Sequence, residues 1–487
     1  MFSISKGSHW SRVSINFLFD ALLLLAAFKL AAMIRFEELV TAREVLYLPA
    51  LTVGAVTLPV LLYLSGFYLS SKQRSTFRVE VIHLFLILLA TTILVMAVGS
   101  INFSARVGRG VLVLGMGMTA VFMAVRHVWP WQRRTGPLTA FVVACPLDDE
   151  VAKAYQRLDA ESGEFLGVFV VPGHNTACGL HVLGPTTAME QIVKEKGIRN
   201  VLCSERVIET RSLFGLFRRL RFQGAQISSL IHAFEDHYQM VPLELVTEQW
   251  LLNASSQPQA FYIKKLKRAF DLVVAGLLLT LLAPLCLIVA VLIKISSKGP
   301  VIYRQTRTGK FGRPFEVLKF RSMKVTAEAD GKARWWQAND PRETWLGKWL
   351  RKYRVDEIPQ LINILAGEMS FVGPRPERPE FVRELAEKIP FYEERLMIPP
   401  GLTGWAQVSY PYGSSIDDAA RKLEYDLYYL KHMSVILDLF ILLDTVKAVV
   451  RGGAAVRTNG RHLLGDSTPG VAPGSARTEP AKPTALA

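Results

Sequence analysis

The sequence predicts a membrane protein that combines α-helical and α/β parts, on three observations. Half of the 487 residues are hydrophobic and the mean hydropathy is positive. Four long apolar segments fill the first quarter, each near the roughly 20 residues that cross a bilayer core. After them short apolar strands alternate with helices, and a mostly helical region with its own apolar stretch at 269–295 follows. A chain of this length exceeds one ordinary domain. The expected parts are a four-helix transmembrane bundle over 1–134, a Rossmann-like α/β domain with a connector over 135–257, a mostly helical domain over 258–454 and a disordered tail over 455–487.

The four apolar segments are 13–34, 45–69, 79–101 and 107–129. Lys6 and Arg12 precede the first, Lys72, Arg74 and Arg78 lie between the second and third, and Arg126, Arg133 and Arg134 mark the end of the fourth. Between the first two, Arg35 and Arg43 are offset by Glu37, Glu38 and Glu44, while Arg106 and Arg109 sit before the fourth. The bias of positive charge places both ends of the bundle on the cytoplasmic side. Asp20 and Lys29 fall inside the first segment, and helix packing or snorkelling is their expected role. No small-residue cleavage site follows a short apolar core, so no cleaved signal peptide is expected. A net charge of +15 favours anionic headgroups and anionic substrates. No zinc-finger or RNA-binding signature accompanies that charge, so nucleic acid is not an expected partner. Cys145, Cys178, Cys203 and Cys286 lack metal-ligand spacing and read as reduced core residues.

In the second part, 138–145, 165–171, 201–203 and 227–231 read as strands, and 149–158, 187–196 and 211–222 as helices. That alternation argues for a doubly wound parallel sheet. After the first strand comes Ala144-Cys145-Pro146-Leu147-Asp148-Asp149, without a glycine. Backbone there cannot approach a pyrophosphate in the usual way, so no dinucleotide is expected and a regulatory or assembly role is the better reading. His174, His181, His232 and His237 fit no metal pattern. Residues 235–256 read as a packed connector.

The chemistry concentrates in the third part. Asp356 and Glu357 are adjacent carboxylates behind Lys348, Arg351, Lys352 and Arg354. Pro374-Arg375-Pro376 lies downstream, and Lys319-Phe320-Arg321-Ser322-Met323 upstream. An acid pair fenced by cations suits phosphate. Arg and Lys neutralise phosphoryl oxygens, while a carboxylate holds a hard metal ion or attacks phosphorus. Residues 358–365 read as a helix with an early proline, which places Asp356 by its N-terminus. Arg375 between two prolines has a stiff backbone. Trp335, Trp336, Trp345 and Trp349, interleaved with Lys348, Arg351 and Lys352, read as amphipathic helix at a membrane interface or as an ordinary core-and-surface helix.

Seven ordered motifs resemble the bacterial sugar transferase family, the monotopic phosphoglycosyl transferases. They are Lys267-Arg268-Ala269-Phe270-Asp271, Gly299-Pro300-Val301-Ile302-Tyr303-Arg304-Gln305, Lys319-Phe320-Arg321-Ser322-Met323, Asp356-Glu357, Phe371-Val372-Gly373-Pro374-Arg375-Pro376, Pro400-Gly401-Leu402-Thr403-Gly404-Trp405-Ala406-Gln407-Val408 and Tyr425-Asp426-Leu427-Tyr428-Tyr429. The resemblance spans about residues 264–452. It implies transfer of a hexose-1-phosphate from a UDP-sugar to undecaprenyl phosphate at the bacterial inner membrane, to start a polysaccharide repeat unit. It makes Asp356 and Glu357 the catalytic acids: Asp356 is the nucleophile and contacts Mg²⁺, and Glu357 orients the site or assists proton or metal handling. It makes Lys319, Arg321, Arg351 and Arg375 site cations, with Pro374, Pro376 and Asp426 in support. Membrane lipids are implied partners, and a homodimer is one open arrangement. After Val408 the chain continues Ser409-Tyr410-Pro411-Tyr412-Gly413, a departure from the family pattern. A polytopic lipid-phosphate transferase and a non-catalytic scaffold or export partner are the rival readings.

The stretch 269–295 carries cations on both sides: Lys264, Lys265, Lys267 and Arg268 before, Lys298, Arg304, Arg307 and Lys310 after, with Lys294 near its end. That symmetry gives no crossing direction. Pro284 near the middle removes a backbone hydrogen bond and bends a helix. A re-entrant helix breaking at Ala283-Pro284 satisfies both facts, and the resemblance implies one, although Ala283 stands where the family usually has serine. An ordinary crossing is the alternative.

Overall fold

A computed structural model describes residues 9–36, 42–65, 67–68, 77–101, 107–128, 138–144, 148, 151–152, 165–173, 180–208, 210–256, 261–324, 342–410 and 415–450. Four apolar helices open the chain: α1 (His9–Phe36), α2 (Ala42–Leu64), α3 (Phe77–Ile101) and α4 (Arg109–Met123), the last continuing into a π-helical turn at Ala124–Val128. Each contributes a segment long and apolar enough to cross a membrane. Asp20 on α1 is fully buried. It pairs with Arg126 at 2.7 Å and with His127 at 2.9 Å, and Tyr68 donates to it at 2.6 Å. Helix packing accounts for this charge, as a buried carboxylate requires partners.

A five-stranded parallel sheet follows, in the order β3-β2-β1-β4-β5: β1 (Thr139–Val143), β2 (Phe165–Val170), β3 (Val182–Pro185), β4 (Asn200–Cys203) and β5 (Gln226–Ser229). Helices α5 (Met189–Lys196) and α6 (Arg211–Phe222) connect the last three strands. β1 and β4 flank the point where strand order reverses, the usual crevice for a ligand. Asp148 occupies it, accepting from Ala144 N and from Ser204 Oγ. A carboxylate there repels phosphate. The sequence reading omits β3, a short edge strand ending in Gly184-Pro185. β3 approaches β2 so closely that a Cβ on Gly167 would strike the His181 carbonyl. The strand expected over 227–231 ends at Ser229, where α7 (Leu230–Tyr238) begins. Most of the helix expected over 149–158, together with Cys145, Cys178, His174, Trp335, Trp336, Pro411–Gly413 and the tail 455–487, lies outside the described residues.

α7 and α8 (Glu248–Ser256) form the connector, and they pack on the third part. That part comprises α9 (Phe261–Ser296), the antiparallel hairpin β6 (Ile302–Thr308) and β7 (Pro314–Phe320), α10 (Trp345–Lys352), α11 (Gln360–Ala366), β8 (Ser370–Val372), α12 (Pro379–Lys388), β9 (Gly401–Thr403), α13 (Trp405–Ser409), α14 (Ile416–His432) and α15 (Val435–Val450). Trp405 Nε1 donates to the Gln239 carbonyl, and Val241 N to the Glu424 carbonyl. Glu235 on α7, 2% exposed, pairs with Lys431 on α14 at 2.6 Å. α15 meets the bundle. Phe440 packs on Phe17 and Tyr63, Tyr63 donates to Asp444, and Lys447 donates to the Leu64 carbonyl.

α9 is one 36-residue helix with Pro284 inside. Both its ends pack on the same part. Arg268 donates to the carbonyls of Ile364 and Leu365, while Val289 and Ile293 cluster with Phe320, Leu346 and Leu350. Between them Leu277, Leu281 and Leu287 are exposed.

The Glu235 clamp yields a pH prediction. Burial works against the ionised Glu235, but His232, His432 and Lys431 offset it and hold its carboxyl well below the usual range. A depressed carboxylate stabilises the fold above the unfolded value of about 4.3 and loses that contribution as pH falls further. Lys431→Ala should lower the thermal unfolding midpoint at pH 7, and the deficit should shrink progressively below about pH 4; a deficit independent of pH would contradict the clamp.

Candidate active site

The acid pair sits on a single turn, Val355–Glu357, between α10 and α11. Arg354 opens that turn with φ 54°, a left-handed conformation that strains any residue with a Cβ. α11 begins at Gln360, two residues later than the helix expected over 358–365, and Asp356 lies one turn ahead of it. Thr344 caps α10, accepting from Gly347 N at 2.9 Å. Gly347 is needed because a Cβ there would strike the Ser322 carbonyl. That contact holds α10 against the Lys319–Met323 segment. Trp345 and Trp349 are 74% and 60% exposed and share the outer face of α10 with Lys348 and Lys352, while Leu346 and Leu350 are buried.

Asp356 and Glu357 are both 7% exposed, yet their surroundings differ. Glu357 receives Lys319 at 3.2 Å, Arg354 at 3.3 Å and Arg375 at 3.3 Å. Burial alone would favour its neutral form, but these three cations hold it ionised, well below the usual carboxylate range. Asp356 carries no hydrogen bond or close ion pair from any described residue. Burial, then the adjacent Glu357 charge, pushes its carboxyl upward, against the pull of Lys319, Arg351 and Arg375 at longer range. One acid is thus fixed by cations, and its neighbour remains unclaimed beside them.

The other expected residues divide. Arg351 pairs with Glu343 at 3.2 Å and bears on Asp356 only through its charge. Arg321 Nη2 donates to the carbonyl and hydroxyl of Ser297, just past the end of α9, and Arg321 makes no ion pair with either acid. Asp426 is buried and pairs with Arg395 at 2.8 Å. Arg395 in turn donates to the Arg375 carbonyl, so Asp426 supports the Pro374-Arg375-Pro376 segment at one remove. Three residues beyond those the family resemblance assigns to the site belong to it. Arg354 was legible as a cation next to the pair. Gln407, which accepts from Arg375 at 3.1 Å, was visible only as part of the Pro400–Val408 motif and Arg395 not at all, since their roles arise from contacts across 20 or more residues.

Close backbone approach fixes Arg375. β8 and β9 pair in parallel, Gly401 of β9 meets Gly373 just after β8, and Gly373 also meets Gly404 just after β9. A Cβ on Gly373 would strike the Pro399 carbonyl, and one on Gly404 the Gly373 carbonyl. The two glycine motifs therefore form one joint.

The family described as bacterial sugar transferase matches residues 262–452. A UDP-N-acetylgalactosamine-undecaprenyl-phosphate N-acetylgalactosaminephosphotransferase of Aeromonas hydrophila is 44% identical over 190 residues, 39% of this chain and 45% of that protein. An exopolysaccharide production protein of Rhizobium leguminosarum bv. phaseoli is 40% identical over 194 residues, which are 39% of this chain and 96% of that protein. The chain belongs to the bacterial sugar transferase family. A UDP-glucose:undecaprenyl-phosphate glucose-1-phosphate transferase of Escherichia coli is a further relative, 44% identical over 183 residues, 37% of this chain and 39% of that protein. The chain thus matches less than half the length of the large relatives. The family region is the part that holds the acid pair, the glycine joint and α9.

Gly373→Ala should lower the turnover of the family reaction by about 10²-fold while leaving the protein in the membrane fraction, because a 1 Å displacement of a positioning group has that effect. Steady-state kinetics on purified protein would check it; an unchanged rate would mean the joint does not set Arg375.

Proposed function

We propose that this chain transfers a hexose-1-phosphate from a UDP-sugar to undecaprenyl phosphate through a covalent intermediate on Asp356, and so begins a polysaccharide repeat unit. The observation that carries this is the unclaimed buried carboxylate of Asp356 beside three cations held on Glu357. An Asp356 oxygen attacks the β-phosphorus of the donor. The bond from phosphorus to the UMP oxygen breaks, and UMP leaves with the electron pair. An oxygen of undecaprenyl phosphate then attacks the same phosphorus, and the bond to Asp356 breaks, restoring the carboxylate. Splitting the transfer in two avoids bringing two anions together in one step. Lys319, Arg354 and Arg375 neutralise the phosphoryl oxygens, and Glu357 keeps these cations in place when no substrate is present.

The donor set fits Mg²⁺. Among the described residues no third acid, His or Cys completes a metal cage around the pair. Mg²⁺ commonly takes one or two carboxylates and completes its shell with substrate phosphates. Asp356 is the residue that would hold it, and it would supply charge neutralisation at the diphosphate.

The same reading makes α9 re-entrant, with the catalytic part on the cytoplasmic face where nucleotide sugars are found. A straight helix would keep Arg268 and Ile293 about 37 Å apart. Arg268 instead bonds to Ile364, and Ile293 belongs to the cluster on which Ile358 packs, six residues earlier. Six residues of helical chain cover only about 10 Å. A bend at Pro284 reconciles the two, and the exposed leucines around it suit lipid. Trp345, Trp349 and their lysines suit the headgroup layer beside it. A purely scaffolding role would leave a buried acid pair and its cations unexplained.

Asp356→Asn should abolish UMP release and raise the thermal unfolding midpoint by roughly 2–4 °C, because it relieves a buried charge next to Glu357. Undiminished UMP release would exclude Asp356 as nucleophile. Single cysteines at Lys265 and Lys298, in a background without the native cysteines, should both react with an impermeant maleimide from the cytoplasmic side only. Labelling from opposite sides would make α9 a full crossing.

A further inference from the structure

The Lys267-Arg268-Ala269-Phe270-Asp271 motif stands outside the chemistry, yet its side chains reach both elements that carry the site. Arg268 donates to the carbonyls of Ile364 at 2.5 Å and Leu365 at 2.8 Å, the last turn of α11. The Ile364 carbonyl also accepts from Gly367 N, so the guanidinium adds a second donor there and bonds the Leu365 carbonyl at the helix end as well. Gly367 follows with φ 89°, a left-handed conformation that favours glycine, and the Arg268 guanidinium lies beside it. The opposite end of α11 continues the turn that bears Asp356 and Glu357. Asp271, 3% exposed, accepts from Phe371 N at 3.2 Å in β8. Lys267, 6% exposed, pairs with Asp438 at 2.5 Å and donates to Tyr429 Oη, which itself lies 3.2 Å from the Val372 carbonyl. β8 leads directly into Gly373-Pro374-Arg375.

We infer that Arg268 and Asp271, in the first turns of the membrane helix, are positioning residues that set the distance between the acid pair and Arg375. Arg268 fixes the element that bears the nucleophile, and Asp271 fixes the element that bears the phosphate-binding fork. Both sit on one rigid helix three residues apart, so α11 and β8 cannot shift independently while both bonds hold. The same helix continues into its apolar stretch, so the seating of α9 and the spacing of the site form one mechanical unit. This inference rests on the proposed transfer through Asp356.

The test is the pre-steady-state release of UMP from a UDP-sugar by the full chain in lipid nanodiscs without undecaprenyl phosphate. The proposed route gives one UMP per competent enzyme. Its amplitude counts folded, competent molecules, and its rate reports site geometry. Arg268→Ala and Asp271→Ala should slow the burst by about 10- to 100-fold at near-wild-type amplitude. Asp271→Asn, which keeps an acceptor for Phe371 N, should restore the rate to within a few-fold, and Arg268→Lys should fall between Ala and wild type. Reduced amplitude at a wild-type rate would make both residues structural only and overturn the inference, as would alanine variants at the wild-type rate and amplitude. Should the alanine variants give too little folded protein, the Asn and Lys variants decide by the same comparison of rate with amplitude. A wild-type chain with no burst would instead contradict the transfer through Asp356, which separates the two failures.

Discussion

Two adjacent carboxylates in one buried turn repel each other and lose hydration, so neither persists there ionised without nearby positive charge. The cations are distributed unequally. Lys319, Arg354 and Arg375 converge on Glu357, and Asp356 is left without a close partner among the described residues. Glu357 thus collects three cations at one point, and Asp356 gains their field without being capped by them. A strained Arg354 backbone and two neighbouring helices hold that turn in place.

The rest of the third part serves the relative placement of this turn and Arg375. The glycine joint lets β8 and β9 approach, Asp426 and Arg395 hold the Arg375 backbone, and Gln407 receives its guanidinium. The first turns of α9 tie that assembly to the membrane helix, and α15 ties it to the bundle through Phe440 and Asp444. Polar contacts dominate these links, and each depends on partners far away in sequence.

That dependence explains what the sequence made legible. The apolar segments, the helices over 187–196 and 211–222, the turn residues and the acid pair are local signals, read from period and composition. Strand β3 escaped because an edge strand of four residues with Gly184 and Pro185 has no alternation to detect. Arg321 carried the right charge and motif but bonds to Ser297, since its direction depends on where α9 ends. Arg395 gave no signal, and Gln407 only its place in the Pro400–Val408 motif, because a glutamine or arginine becomes part of a site only when distant segments meet. The Lys267–Asp271 motif was visible as a pattern, while its targets on α11 and β8 were not.

The central claim is that the Asp356 carboxylate forms a bond to the sugar phosphate. Its most direct test is peptide mass spectrometry of the full chain after incubation with a UDP-sugar in the absence of undecaprenyl phosphate. The account predicts a hexose-phosphate adduct on the peptide containing Asp356, removed when undecaprenyl phosphate is added. Rapid turnover of UDP-sugar and lipid phosphate with no adduct on any acidic residue, or an adduct on a different side chain, would contradict it.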